Sequence, residues 1–147
     1  MQSKSCLRTR AYFVTLRTWR RGSLFGKIAN GKMRRNLVGQ EVAACWNRIP
    51  SDFTNVMLDA FVVMPDHLHG IVVVNGRGPE DSAPLLSILE RFRSLSAGHV
   101  DCGIWKGSGR KRLIRDRDEL NRIRHYIRDN PSRWPEDPRD LPAFARN

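Results

Sequence analysis

The sequence predicts an α+β domain, a β-sheet with helices on one or both faces. Runs of aromatic and β-branched residues recur along the chain, and segments of helical period separate them in the order β-α-β-β-α-β-α. Size agrees: 147 residues, 40% of them hydrophobic and 28% charged, make one domain with a proper core. No internal repeat is visible.

Residues 11–17 (AYFVTLR) form the first expected strand, rich in aromatic and β-branched side chains. Residues 19–31 carry Gly, Arg and Lys and read as a loop. A helix is expected over 33–48, with Leu37, Val38, Val42, Cys45 and Trp46 on one stripe and Ile49-Pro50 ending it. Strands over 52–64 and 67–74 flank a Pro65-Asp66 turn signal, and together they read as a hairpin. After a loop at 75–82, residues 83–97 form a second helix carrying Leu85, Leu86, Ile88, Leu89 and Phe92. Residues 98–111 contain four glycines and read as a loop, and 111–115 as a short edge strand. Asp116 or Asp118 caps a third helix, which must stop by Asn130 because Pro131 follows. The domain is expected to span 1–134, with an irregular, proline-bearing tail at 135–147.

The net charge of +11 points to a polyanion. Ten Lys and Arg residues precede the first acid, Glu41, and nine more lie between Lys106 and Arg128 against Asp116, Asp118 and Glu119. No apolar run reaches the ~18 residues of a membrane span, so nucleic acid is favoured over a membrane. The N-terminus lacks the apolar core of a signal peptide. Cys6, Cys45 and Cys102 are odd in number and widely spaced, as in a cytoplasmic protein with reduced thiols. His99 and Cys102 lack the further ligands of a zinc site, and the 22–27 segment lacks the spacing of a phosphate-binding loop.

His67 and His69 carry the sharpest chemical signal. On a strand, residues two apart share a face about 6.6 Å apart, so the two imidazoles form a half-site for a divalent metal. In the last helix, Leu120, Ile123 and Ile127 make the apolar stripe, while Arg122, Tyr126 and Asn130 line up at intervals of four. Tyrosine is a weak nucleophile until its environment activates it, and an amide oxygen such as that of Asn130 suits Mg²⁺ or Mn²⁺. No other cofactor site is expected. Arg112, Arg115, Arg122 and Lys111 are candidates for phosphate contacts, and Trp105 and Trp134 for either base stacking or core packing.

The blocks YFVTLRTWRRGSLFG, AFVVMPDHLHGIVVV and ELNRIRHYIRDNP occur in this order over most of residues 11–134. In this the chain resembles the REP-associated tyrosine transposases, single-tyrosine HUH enzymes that cut single-stranded DNA. The resemblance implies a ferredoxin-like antiparallel sheet with flanking helices. It also implies that His67 and His69 bind metal, that Asn130 is the third ligand and that Tyr126 is the nucleophile. The implied reaction joins Tyr126 to a 5′ phosphate of palindromic hairpin DNA. Dimeric relatives exchange the tyrosine helix, so both monomer and homodimer are open. The segment after Trp105, Lys106–Arg112, departs from the family pattern of an aromatic pair, an acid and a His. The family's Lys-rich stretch near residues 91–94 also reads Arg-Phe-Arg-Ser here. A non-catalytic relative that binds hairpin nucleic acid is therefore the alternative, and a hydrolase using the histidines without Tyr126 is a third reading.

Overall fold

A computed structural model of the protein describes residues 8–19, 23–76, 83–98, 104–107 and 109–134. The 135–147 tail, His99, Cys102 and Cys6 lie outside them. The main sheet contains β1 (Arg8–Arg17), β4 (Val56–Met64), β5 (His67–Gly76) and β6 (Arg110–Leu113) in the order β4-β5-β1-β6. All its pairings are antiparallel. Helices α1 (Leu37–Asn47), α2 (Ile49–Asp52), α3 (Ala83–Ala97) and α4 (Arg117–Asp129) complete the α+β architecture, and a 3-10 turn, Pro131–Arg133, follows α4.

The alternation of strand side chains divides the interior in two. Even-numbered residues of β1 and β5, among them Val14, Leu16, Leu68, Val72 and Val74, join α1 and α3 in the main core around Trp46, Ile88 and Phe92. Odd-numbered residues Phe13 and Ile71 join Ile114, Ile123 and Ile127 in a smaller core beneath α4. Gly70 interrupts the even row because the edge of Trp46 occupies its space: an added Cβ would lie 2.4 Å from Cζ2 of the indole.

The third helix follows expectation. Asp116 is its N-cap, accepting from the Glu119 amide at 2.8 Å, and Asn130 closes it before Pro131. The second helix also lies where its period placed it. Elsewhere the boundaries move. The expected 33–48 helix begins only at Leu37, because the Asn36 side chain caps it through the Gly39 amide at 2.8 Å. Leu37 itself is 79% exposed and does not belong to the apolar stripe. Pro50 does not end helical structure but opens the short α2, where its missing N–H is no loss. The strand expected from residue 52 starts at Val56 and slips register between Leu58 and Phe61. The edge strand sits one to two residues earlier than expected.

The largest correction concerns residues 26–35, expected as loop and helix start. They form a separate two-stranded ribbon, β2 (Gly26–Ala29) with β3 (Lys32–Arg35). Asn30 and Gly31 turn it with φ of 54° and 73°, the left-handed pair that a tight hairpin requires. An Asn-Gly dipeptide is a strong hairpin signal, and it was present in the sequence.

Candidate active site

The two-residue turn at Pro65-Asp66 brings Met64 opposite His67 and starts β5 with both histidines on the α4 side of the sheet. Their rings are 4.7 Å apart between centroids and both are buried. Each is held at Nδ1. The Asp66 carboxylate accepts from His67 Nδ1 at 2.8 Å, and the Thr15 hydroxyl lies 2.9 Å from Nδ1 of His69. Thr15 is the register partner of His69 on β1, so the strand pairing itself delivers that contact. The Asp66 carboxylate makes His67 Nδ1–H the donor and leaves its Nε2 with a lone pair; the Thr15 hydroxyl can act in the same way on His69 by accepting from Nδ1–H. Metal-binding histidines are commonly oriented this way.

Burial, then the proximity of His67, then that of Arg17, push the His69 pKa well below its ordinary value. His69 is therefore neutral near pH 7, the form that can donate to a metal. Phe13 stacks on it at 5.4 Å with an interplanar angle of 24°. The Tyr126 ring stands 5.4 Å away at 64°, and also meets Phe13 edge-on at 6.2 Å. Histidine pair and tyrosine thus come together within one chain.

Asn130, at the C-terminal end of α4, is buried, and its side chain makes no hydrogen bond within the described residues. Its carbonyl accepts from the Arg133 amide at 3.1 Å, and the turn this closes returns the chain to place the Trp134 ring 6.3 Å from that of His67. Tyr126 thus meets His69 and Trp134 meets His67, with Asn130 between them in the sequence. Two imidazoles and an amide are neutral nitrogen and oxygen donors, a chemistry that suits a divalent ion of the Mn²⁺ type. Among the described residues no three His, Cys, Asp or Glu side chains gather at one point.

The helix that carries Tyr126 is tied to β4 by a two-pronged ion pair. Arg124 Nε donates to Asp59 Oδ1 at 2.9 Å, and Nη2 donates to Oδ2 at 2.7 Å. Asp59 lies at the register slip of β4, where its side chain also accepts from the Ala60 amide at 2.7 Å. The guanidinium hydrogen bond is the main reason that the Asp59 pKa falls below the ordinary carboxylate value. Sequence reading did not single out this pair, since its members are 65 positions apart.

The expected phosphate contacts divide. Arg122 is exposed on α4, one turn before Tyr126. Arg115 is exposed as well, although its amide donates to Glu119 at 2.8 Å. Arg112 is engaged within the protein, donating at 2.6 Å to the buried Glu119 carboxylate. Lys111 pairs in register with Val14 and so belongs to the sheet face away from the histidines. Arg110, which the expected strand start omitted, pairs with Thr15 and shares its row with His69. It is exposed. Trp105 is a core residue, 8% exposed, whose indole N–H donates to Ser96 at 2.8 Å.

No family model matches the chain. A protein of Haemophilus influenzae (strain ATCC 51907 / DSM 11121 / KW20 / Rd), named only as an uncharacterized protein, is 30% identical over 148 aligned positions, 86% of this chain and 82% of the relative. The chain belongs to that protein's family. Among solved structures it is similar to a REP-associated tyrosine transposase bound to a REP hairpin, with a TM-score of 0.60 and 22% identity. The match covers 83% of this chain and 66% of the transposase, just under two thirds of its length. This likeness establishes the fold: a four-stranded antiparallel sheet flanked by helices, as in that transposase. No helix of the described residues is long and apolar enough to cross a membrane.

Proposed function

We propose that the protein is a single-tyrosine HUH transposase that nicks and rejoins single-stranded DNA at palindromic hairpin elements. The observation that carries this reading is the Tyr126 ring 5.4 Å from His69, inside a histidine pair braced at both Nδ1 atoms. In the proposal His67, His69 and Asn130 hold Mg²⁺ or Mn²⁺. When bound, that ion supplies Lewis-acid polarisation of the scissile phosphate.

The chain's own groups do the rest. Tyr126 Oη attacks phosphorus, a bond forms between them, and the bond from phosphorus to the 3′ oxygen breaks. The phenolic proton ends on that oxygen, leaving a 5′-phosphotyrosine and a free 3′-hydroxyl. The phosphodiester count is unchanged, so the step reverses onto another strand without a nucleotide cofactor. Phe13 and Thr15 hold the His69 ring in place, and the Asp59–Arg124 pair holds the tyrosine helix over it. Because a single chain supplies histidines and tyrosine, the reading includes action as a monomer; a cytoplasmic setting and a catalytic unit spanning residues 1–134 belong to it too.

Labelled hairpin DNA incubated with the protein and Mn²⁺ should give an adduct that survives SDS and is absent from Tyr126→Phe. No adduct from the wild type, or an equal one from Tyr126→Phe, defeats the proposal. The departing segment at residues 106–112, where Arg112 is engaged by Glu119, favours a second reading as a non-catalytic hairpin-binding protein. Under it, salt-sensitive binding survives Tyr126→Phe and no cleavage occurs.

A further inference from the structure

The β2–β3 ribbon has two unlike faces. Lys27 pairs with Arg34 and Ala29 with Lys32 on one side, while Ile28 pairs with Met33 and Gly26 with Arg35 on the other. Met33 packs onto the main core and Ile28 is half-buried, so the second side faces the protein. Gly26 has no room for a side chain, since a Cβ would lie 2.1 Å from the Arg34 carbonyl oxygen. The first side presents Lys27, Lys32 and Arg34, all exposed. None of the three forms an ion pair or side-chain hydrogen bond among the described residues.

The ribbon is bonded at its base to the turn before His67, and its tip lies beside the turn that follows Asn130. At its base the Phe25 amide donates to the Pro65 carbonyl at 2.9 Å, in the turn that precedes His67. Phe25 itself is fully buried against Trp105. At its tip Gly31 faces Ser132, in the turn that follows Asn130: a Cβ added at Gly31 would lie 3.7 Å from it. The three unneutralised cations therefore stand on a rim running from the histidine turn to the end of the tyrosine helix. They fall within about 7 Å along the strands and one strand spacing across, a length over which duplex DNA presents about four phosphates.

We propose that the outer face of this ribbon, Lys27, Lys32 and Arg34, binds the phosphate backbone of DNA seated at the Tyr126 site. This rests on the function proposed above and adds the surface that holds the substrate. A solvated face serving solubility alone would not need both ends set beside the same site. The contact carries charge and no base reading, so it is blind to sequence.

The test is the salt dependence of binding to hairpin DNA and to an unrelated hairpin of equal length. Lys27→Gln/Lys32→Gln/Arg34→Gln should lower the slope of log Kd against log salt by about two to three on both DNAs, with its unfolding midpoint unchanged. Lys27→Arg/Lys32→Arg/Arg34→Lys should keep the wild-type slope. So should Arg48→Gln/Arg91→Gln, which removes two exposed charges from the α1 and α3 layer, on the sheet face away from the histidines. A glutamine variant with the wild-type slope, or a drop on one DNA only, overturns the ribbon assignment and leaves the proposed reaction standing. If the wild type binds neither DNA in a salt-dependent way, the ribbon assignment and the reading beneath it fall together.

Discussion

His69 is enclosed by Thr15 at Nδ1, Phe13 on one ring face, and the Tyr126 and His67 rings. Its geometry therefore depends on neighbours that do no chemistry themselves. Thr15→Val keeps the shape of the buried side chain and removes the hydroxyl that fixes the ring. The Mn²⁺ concentration for half-maximal adduct should then rise about 10- to 100-fold, the usual cost of losing such a partner, with stability little changed. An unaltered Mn²⁺ titration would mean that Thr15 has no part in orienting the ring. Gly70 backs the histidines from the other side. Gly70→Ala would drive a methyl group into Trp46, whose indole is wholly buried, and overpacking of this kind costs about 1–3 kcal/mol. Urea unfolding should register that loss; a variant as stable as the wild type would mean that Trp46 moves aside freely. The two histidines were legible in the sequence because a strand period places them on one face. Thr15 was not legible as their partner, since only the β1–β5 register brings position 15 to position 69.

At the scale of elements, α4 is the piece on which the proposed chemistry turns, and its cap, apolar stripe and end were all readable from residues 116–131. What holds it at a fixed angle to the sheet was not readable, because Asp59 and Arg124 meet only after β4 has slipped register. The ribbon is the opposite case: its Asn30-Gly31 signal was in plain view, but the short strands on either side carry Lys and Arg rather than alternating apolar residues. The Asp59–Arg124 pair also gives α4 a pH signature. The folded pKa of Asp59 lies below its unfolded value, so its stabilising effect is complete above about pH 4 and is lost as pH falls through the folded pKa. Asp59→Asn should therefore unfold more readily at pH 7 and show a shallower loss of stability below pH 4 than the wild type. Urea midpoints across that range measure both effects, and parallel curves for the two proteins would rule out the linkage. The same variant should slow adduct formation although Tyr126 is intact, as expected of a residue that positions the helix.

Over the whole molecule, the two faces of the sheet are unequally secured. Among the described residues the main core joins nineteen buried hydrophobic residues, whereas the core beneath α4 joins five: Phe13, Ile71, Ile114, Ile123 and Ile127. Burial of apolar surface is the dominant stabilising term, so the smaller core gives α4 the lower cost of detachment. The histidines lie on this weaker face, and their strand is anchored from behind by Trp46 and the larger core. The half-site is thus backed by the larger core, while the helix that carries Tyr126 rests on the smaller one, and under the proposed function this difference would let Tyr126 shift against a fixed histidine pair. Amide hydrogen exchange should find the protected amides of α4 opening at lower free energy than those of β1 and β5. Ile123→Ala removes a fully buried side chain from the smaller core and should cost α4 about 2–5 kcal/mol of local stability. Its exchange should quicken across residues 117–129 while β1, β5 and α1 stay near wild-type protection. Uniform acceleration throughout the chain would instead mean that both layers unfold as one unit, and that Tyr126 never leaves His69 without losing the fold.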